Sequence, residues 1–204
     1  MPSSHHPDPL PNANAFEGFP PEVQEQLAEL RRQSDALPRP TALDATTLRS
    51  ITDEDLSFAI SWYVAEQMRT SGLFQADVLQ QEALATRDVY LTIILEDEVF
   101  NGGFNQYFWN LPSELLAPTA LALDRIGAKR TAGTFRAALQ QGEAKAGMRE
   151  RLDAVGTLEA FSESYEHSQL EPLDERFVAE ADDLRAKRTA FVRANETAFL
   201  RPTP

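Results

Sequence analysis

Carboxylates are the one reactive side chain that this sequence supplies in excess. It holds 32 Asp and Glu against 19 Lys and Arg, for a net charge of −13, with three histidines and no cysteine. The lack of cysteine excludes disulfides, thiol nucleophiles and thiolate metal sites, and fits a reducing, cytoplasmic setting. His5 and His6 are adjacent in a Pro-rich tail, a poor arrangement for a metal. His167, in Tyr165-Glu166-His167, sits on a polar helix end, where solvated surface explains it better than a general base. No Gly-rich phosphate loop, His-Glu-x-x-His pair or Ser elbow is present. Two carboxylates can hydrolyse a glycoside, but nothing in the sequence singles out a pair. The expectation is a protein that is not an enzyme and needs neither metal nor cofactor.

What remains is the attraction of carboxylates for positive charge, and the acids are segregated. Residues 50–68 hold Asp53, Glu54, Asp55 and Glu66 and no base. Residues 88–124 hold Asp88, Glu96, Asp97, Glu98, Glu114 and Asp124, again without Lys or Arg. Residues 152–175 hold Asp153, Glu159, Glu163, Glu166, Glu171, Asp174 and Glu175, also without a base. The bases gather instead in residues 125–151, where seven face only two acids. Most acids therefore lack a sequence-local partner, although the basic block can pair with some of them in the fold.

Glu159, Glu163 and Glu166 recur at i, i+4, i+7, opposite Leu158, Phe161 and Tyr165. On a helix this sets a charge every ~5–6 Å along one face. Duplex DNA carries one charge per ~3.4 Å per strand, so one stripe is too sparse to imitate it and neighbouring acidic helices are needed. Like charges at this spacing cost a few tenths of a kcal/mol each. Glu96, Asp97 and Glu98 fall at the unfavourable, negative end of their helix. Such placements are poor for stability and suited to a basic partner. The partner-binding candidates are thus Glu159, Glu163, Glu166, Glu171, Asp53, Glu54, Asp55, Glu66, Glu96, Asp97 and Glu98.

The elements that carry these residues read as helices throughout. Residues 1–20 form a Pro-rich tail predicted to be disordered, and residues 21–50 a short helix followed by a linker arm. Residues 51–200 form one compact multi-helix domain, and the fold class is all-α. Thr52 is placed to cap a helix whose apolar positions run from Leu56 to Met68 with a 3.6-residue period. A second helix covers about 81–100. Ile93-Ile94-Leu95 could pass for a strand, but no partner strand appears. Pro118 starts a helix that Gly127 stops, further helices fit 129–146, 148–155 and 157–168, and Pro172 opens the longest. The dipole accounts for the acids that begin that last helix and the bases that end it. No apolar run approaches the ~20 residues of a membrane span. The N-terminus lacks the layout of a signal peptide.

One stretch stands apart from the acidic background: Asn101-Gly102-Gly103-Phe104-Asn105-Gln106-Tyr107-Phe108-Trp109-Asn110. The glycines can end one helix and let another begin, and Phe104, Tyr107 and Phe108 share one helical face. Gln106 and Asn110 are expected to hydrogen-bond local backbone at the turn. The stretch reads as a structural corner, with an aromatic ligand pocket as its alternative. Together with the preceding Glu98-Val99-Phe100, it resembles the signature of the family typified by the nineteen-kilodalton bacterial DNA-mimic protein. Two further pieces are similar: Ala122-Leu123-Asp124-Arg125-Ile126-Gly127-Ala128 and Leu173-Asp174-Glu175-Arg176-Phe177. The resemblance spans roughly residues 51–200. It implies a helical homodimer that occupies the DNA-binding surface of a basic protein such as a helix-turn-helix regulator.

Two alternatives stay open on sequence: an immunity- or antitoxin-like inhibitor of a nuclease or cationic toxin, and a helical domain that binds a small molecule. All acidic readings exclude direct contact with nucleic acid or anionic membrane, because phosphates repel a chain of this charge. The pure protein should therefore shift neither duplex nor single-stranded DNA at physiological salt in a gel assay. A micromolar shift would contradict the mimic reading outright.

Overall fold

The computed structural model describes residues 18–143 and 170–201. Its elements are α1 (Pro21–Ala36), α2 (Ala45–Ser50), α3 (Leu56–Ser71), α4 (Gln75–Gln81), α5 (Leu84–Asn110), α6 (Leu116–Arg125), α7 (Lys129–Glu143) and α8 (Glu171–Ala194). Short 3₁₀ turns at Ser113–Leu115 and Glu196–Phe199 complete them. No strand occurs among the described residues, and none of their helices is long and apolar enough to cross a membrane.

α5 is the axis, in contact with α3, α6, α7 and α8. Its first half buries Val89, Leu91, Ile93, Ile94, Leu95 and Val99 together with Thr86 and Thr92. A helix covered on nearly every side needs apolar or hydroxyl residues at consecutive positions. That demand explains the strand-like Ile93-Ile94-Leu95.

Several boundaries differ from those expected. Thr52 does not cap α3. It closes a turn in which its hydroxyl donates to Asp55 Oδ2 at 2.7 Å, and the helix starts at Leu56. The supposed linker holds α2, where the Asp44 carboxylate accepts from the Thr47 N–H at 2.8 Å and Leu48 is wholly buried. α4 precedes α5 as a separate helix. α6 begins at Leu116 rather than Pro118 and stops at Gly127 as expected, at φ +83°. The segments proposed for 148–155 and 157–168, and the tail up to residue 17, lie outside the described residues.

Charge reaches the interior as well. Arg188 of α8 is 3% exposed and Glu96 of α5 is 5% exposed, and they meet at 2.7 Å. Arg188 also donates to the Thr92 hydroxyl at 3.1 Å, the Thr92 carbonyl at 3.0 Å and Ser57 Oγ at 3.2 Å. One guanidinium thus joins α8, α5 and α3, while Arg185 takes the other Glu96 oxygen. At the far end of α8, Arg193 donates to the carbonyls of Leu48 and Ile51, both at 2.6 Å, and fastens α2.

Glu96→Ala leaves Arg188 buried without its counter-charge and should destabilise the fold by ~3–5 kcal/mol in urea titration. Glu54→Ala, at an exposed position, should stay within ~0.5 kcal/mol of the parent. Equal midpoints for the two variants would remove the buried pair from any structural role.

Candidate functional site

The Asn-Gly-Gly stretch bends α5. Gly102 (φ −164°, ψ 29°) and Gly103 (φ 72°, ψ −178°) leave helical geometry, and the helix resumes at Phe104. Gly102 is in extended backbone open to any residue, so only Gly103 requires glycine for its φ. Gly103 requires it twice. A Cβ there would stand 2.5 Å from Asp174 Oδ2. The resuming half-helix begins with unpaired N–H groups, and Asp174 Oδ1 accepts the Phe104 N–H at 2.7 Å. Asp174 is therefore an N-cap supplied from 70 residues away. Burial raises its pKa above the ordinary aspartate value, against the opposing pull of the Phe104 N–H, and Glu171 raises it further.

Behind this cap, Phe104 and Tyr107 are wholly buried. Phe104 meets Phe177 of α8 edge-on at 5.5 Å and Phe135 of α7 at 6.2 Å, and Tyr107 meets Phe135 at 5.6 Å. The Tyr107 hydroxyl donates to Thr119 on α6 at 2.9 Å. Phe108 stacks on Phe104 at 6.0 Å. The rings of Phe104, Tyr107, Phe108, Phe135 and Phe177 pack against one another across the corner.

The amides behave differently from expectation. Gln106 Nε2 and Asn110 Nδ2 do not bond local backbone; both donate to Glu98 Oε2 at 2.8 Å. Glu98 precedes the bend and the amides follow it, so this buried carboxylate clasps the two halves together. Asn101 lies exposed in the last turn before the bend.

A model of the DMP19-like protein family matches residues 82–195. The chain belongs to that family. No curated protein and no solved structure matches it. The DMP19-like match is narrower than the 51–200 expected. It takes in the bend, the aromatic cluster, the Glu98 clasp and Asp174, and leaves α1 to α4 outside.

Within this DMP19-like framework the predicted acidic residues part company. Glu96 and Glu98 are buried and answered internally, so they cannot face a partner; their sequence position at a helix end gave no hint of Arg188, Gln106 or Asn110. Asp97, between them, is exposed. Asp53 accepts from Arg193 at 2.7 Å, Asp55 is held by Thr52, and Glu66 accepts from Arg69 at 2.8 Å. Glu54 and Glu171 are exposed. Glu159, Glu163 and Glu166, with His167, lie outside the described residues.

Sequence reading missed two groups. Asp88 and Glu180 are each 1% exposed, held by Arg125 and by Thr134 and Arg176 respectively. The outer face of α8 presents exposed Glu171, Glu175 and Asp182 around Val178, itself 49% exposed. Glu171 is already among the partner-binding candidates; the i, i+4, i+7, i+11 spacing that joins it to Glu175 and Asp182 is visible in the sequence, but those two acids are ascribed there to the helix dipole. At ~1.5 Å per residue this stripe is ~16 Å long.

Asp174→Ala should cost ~1–2 kcal/mol, the range of a lost N-cap. Gly103→Ala should cost more than ~1 kcal/mol through positive φ and the clash. Because Asp174→Ala removes the atoms that clash, the double variant should be less destabilised than the sum of the singles in thermal or urea melts. Strict additivity would show that Asp174 does not set the requirement at 103. Asp174→Asn keeps an acceptor and drops the charge. A raised folded pKa means that protonated Asp174 contributes stability in full below about pH 4 and loses it as pH rises through the folded value. The parent should accordingly lose Tm relative to Asp174→Asn as pH rises from about 4 through the folded value.

Proposed function

We propose that this DMP19-like protein works by binding, as an acidic stand-in for DNA on a basic protein such as a helix-turn-helix regulator. The observation that carries the reading is an imbalance that folding does not remove. Arg69, Arg125, Arg176, Arg185, Arg188 and Arg193 already contact acids or amphipathic neighbours inside the fold. These six arginines answer six acids at most, Glu66, Asp88, Glu180, Glu96, Asp53 and Asp182, and such pairing leaves the net charge of −13 unchanged. Glu171, Glu175 and Asp182 are exposed on α8, with Asp182 also accepting from Arg185 at 3.2 Å.

A surface of this kind repels phosphate and draws Lys and Arg over a Debye length of ~8–10 Å. A homodimer that aligns two such faces would raise the charge density toward that of a duplex, which a single ~16 Å stripe does not reach. Family membership supports this reading over an inhibitor of a cationic toxin. The mutual packing of Phe104, Tyr107 and Phe135 at the corner also favours this reading over a small-molecule pocket there.

The test is retention of a basic DNA-binding protein on the immobilised chain from nucleic-acid-free extract at low salt. Elution by a salt gradient and competition by the retained protein's own duplex are expected. Retention that neither salt nor duplex reverses would sink the proposal. With the partner in hand, combined Glu171→Gln, Glu175→Gln and Asp182→Asn should slow association and flatten the salt slope while leaving folding intact. An unchanged slope would remove the α8 face from the contact.

A further inference from the structure

An open groove of about 430 Å³ runs between α3 and α5. Phe58 and Trp62 of α3 form one wall, Ile93 and Ile94 of α5 the other, and Asp97 also lines it. No lining residue among those described carries a positive charge. Phe58 and Trp62, an i, i+4 pair, stack with centroids 6.2 Å apart and planes inclined by 23°.

Three features of this groove select one chemistry. The guanidinium of Arg39 lies 4.9 Å from the centroid of Trp62, so this ring already accepts a planar cation on its face. The polar lining includes the exposed Asp97, whose carboxylate is an acceptor, and Ser61, whose Oγ is buried with no hydrogen-bond partner among the described residues. A guanidinium is all donors, and its flat body and alkyl stem match aromatic and aliphatic walls. Arg39 itself is loosely held. It follows α1, a helix with no buried residue, and its other contacts are with Ser34, at 2.9 Å to the carbonyl and 3.4 Å to the hydroxyl.

We propose that the groove seats an arginine side chain of the basic partner, which displaces Arg39 from Trp62. The source of that arginine rests on the decoy reading above; the chemistry of the seat does not. Arginine and aromatic residues are the usual energetic centre of an interface, and a rim of acids alone supplies steering more than hold.

The probe is 4-phenylbutylguanidine, titrated into the full chain carrying Trp109→Phe. The chain has two tryptophans, so fluorescence then reports Trp62. The expected result is a saturable response, with 4-phenylbutanol binding about tenfold or more weakly for want of the charge. Asp97→Asn should weaken the guanidine about tenfold, and Arg39→Ala, which removes the competitor, should tighten it several-fold. Asp97 and Arg39 are both exposed, so these variants keep the fold. Absence of a saturable response, equal binding of the alcohol, or weaker binding after Arg39→Ala overturns the proposal. Guanidine binding without any salt-sensitive protein partner leaves the seat standing and sinks the decoy reading. A salt-sensitive partner without guanidine binding does the reverse.

Discussion

The bend in α5 depends on one carboxylate. Asp174 accepts the first N–H of the resuming half-helix and occupies the space where residue 103 would otherwise carry a Cβ. The bend lets one chain segment serve two directions: before it, α5 is enclosed by α3 and α8, and after it, Tyr107 reaches Thr119 on α6 and Phe135 on α7. Phe177 lies three residues, almost one helical turn, beyond Asp174, so the residue that caps the bend also sets the ring that packs under it. The two sequence pieces that resemble the family, one at the corner and one at the start of α8, are thus halves of a single contact.

Interior electrostatics obey a different rule from the surface. Buried acids cost several kcal/mol each in desolvation unless charges and hydrogen bonds surround them. Glu96 has two arginines, Asp88 one, Glu180 a threonine and two arginines, and Glu98 two amides. Glu82 is the least well served. Its Oε2 accepts from Tyr63 at 3.2 Å while Arg201 stands 3.7 Å from Oε1, and burial raises its pKa despite that arginine and hydroxyl. An acidic protein can be stable because its scarce bases are spent where the desolvation cost is greatest. The surface then keeps the acids.

The all-α class was legible because helical periodicity, prolines at helix starts and Gly72 and Gly127 at helix ends agree with one another along the chain. Gly103 was legible for the same reason, since an Asn-Gly-Gly step inside an aromatic run has few structural uses. Glu96 and Glu98 were not. Their partners Arg188, Gln106 and Asn110 lie 92, 8 and 12 residues away, and no local pattern distinguishes a buried acid with a distant cation from an exposed one. α2 and α4 were missed because helices of 6 and 7 residues are too short to show a period. Beyond the Asp44 cap of α2, tertiary contact such as that of the wholly buried Leu48 fixes such short helices. Asp174 was quoted in a motif yet assigned to the dipole, an explanation that was true of its position and blind to its neighbour.

Where the family match begins also bears on how such a protein can be used. The match opens at Glu82 and closes at Asn195, so it includes the bend and both α5 and α8. α3, which supplies the aromatic wall of the groove, stands outside it. The matched part does the work that a scaffold must do, holding charges apart in a low-dielectric interior with little tolerance for substitution. The exposed carboxylates on α8 act through a field that depends on charge and distance more than on fine geometry, so they can shift along the helix at little cost. A groove with aromatic walls does not have that freedom, because stacking falls off within a few ångströms. Under the proposed binding role, electrostatic attraction and close recognition are therefore separable, the first assigned to α8 and the second to the seam between α3 and α5.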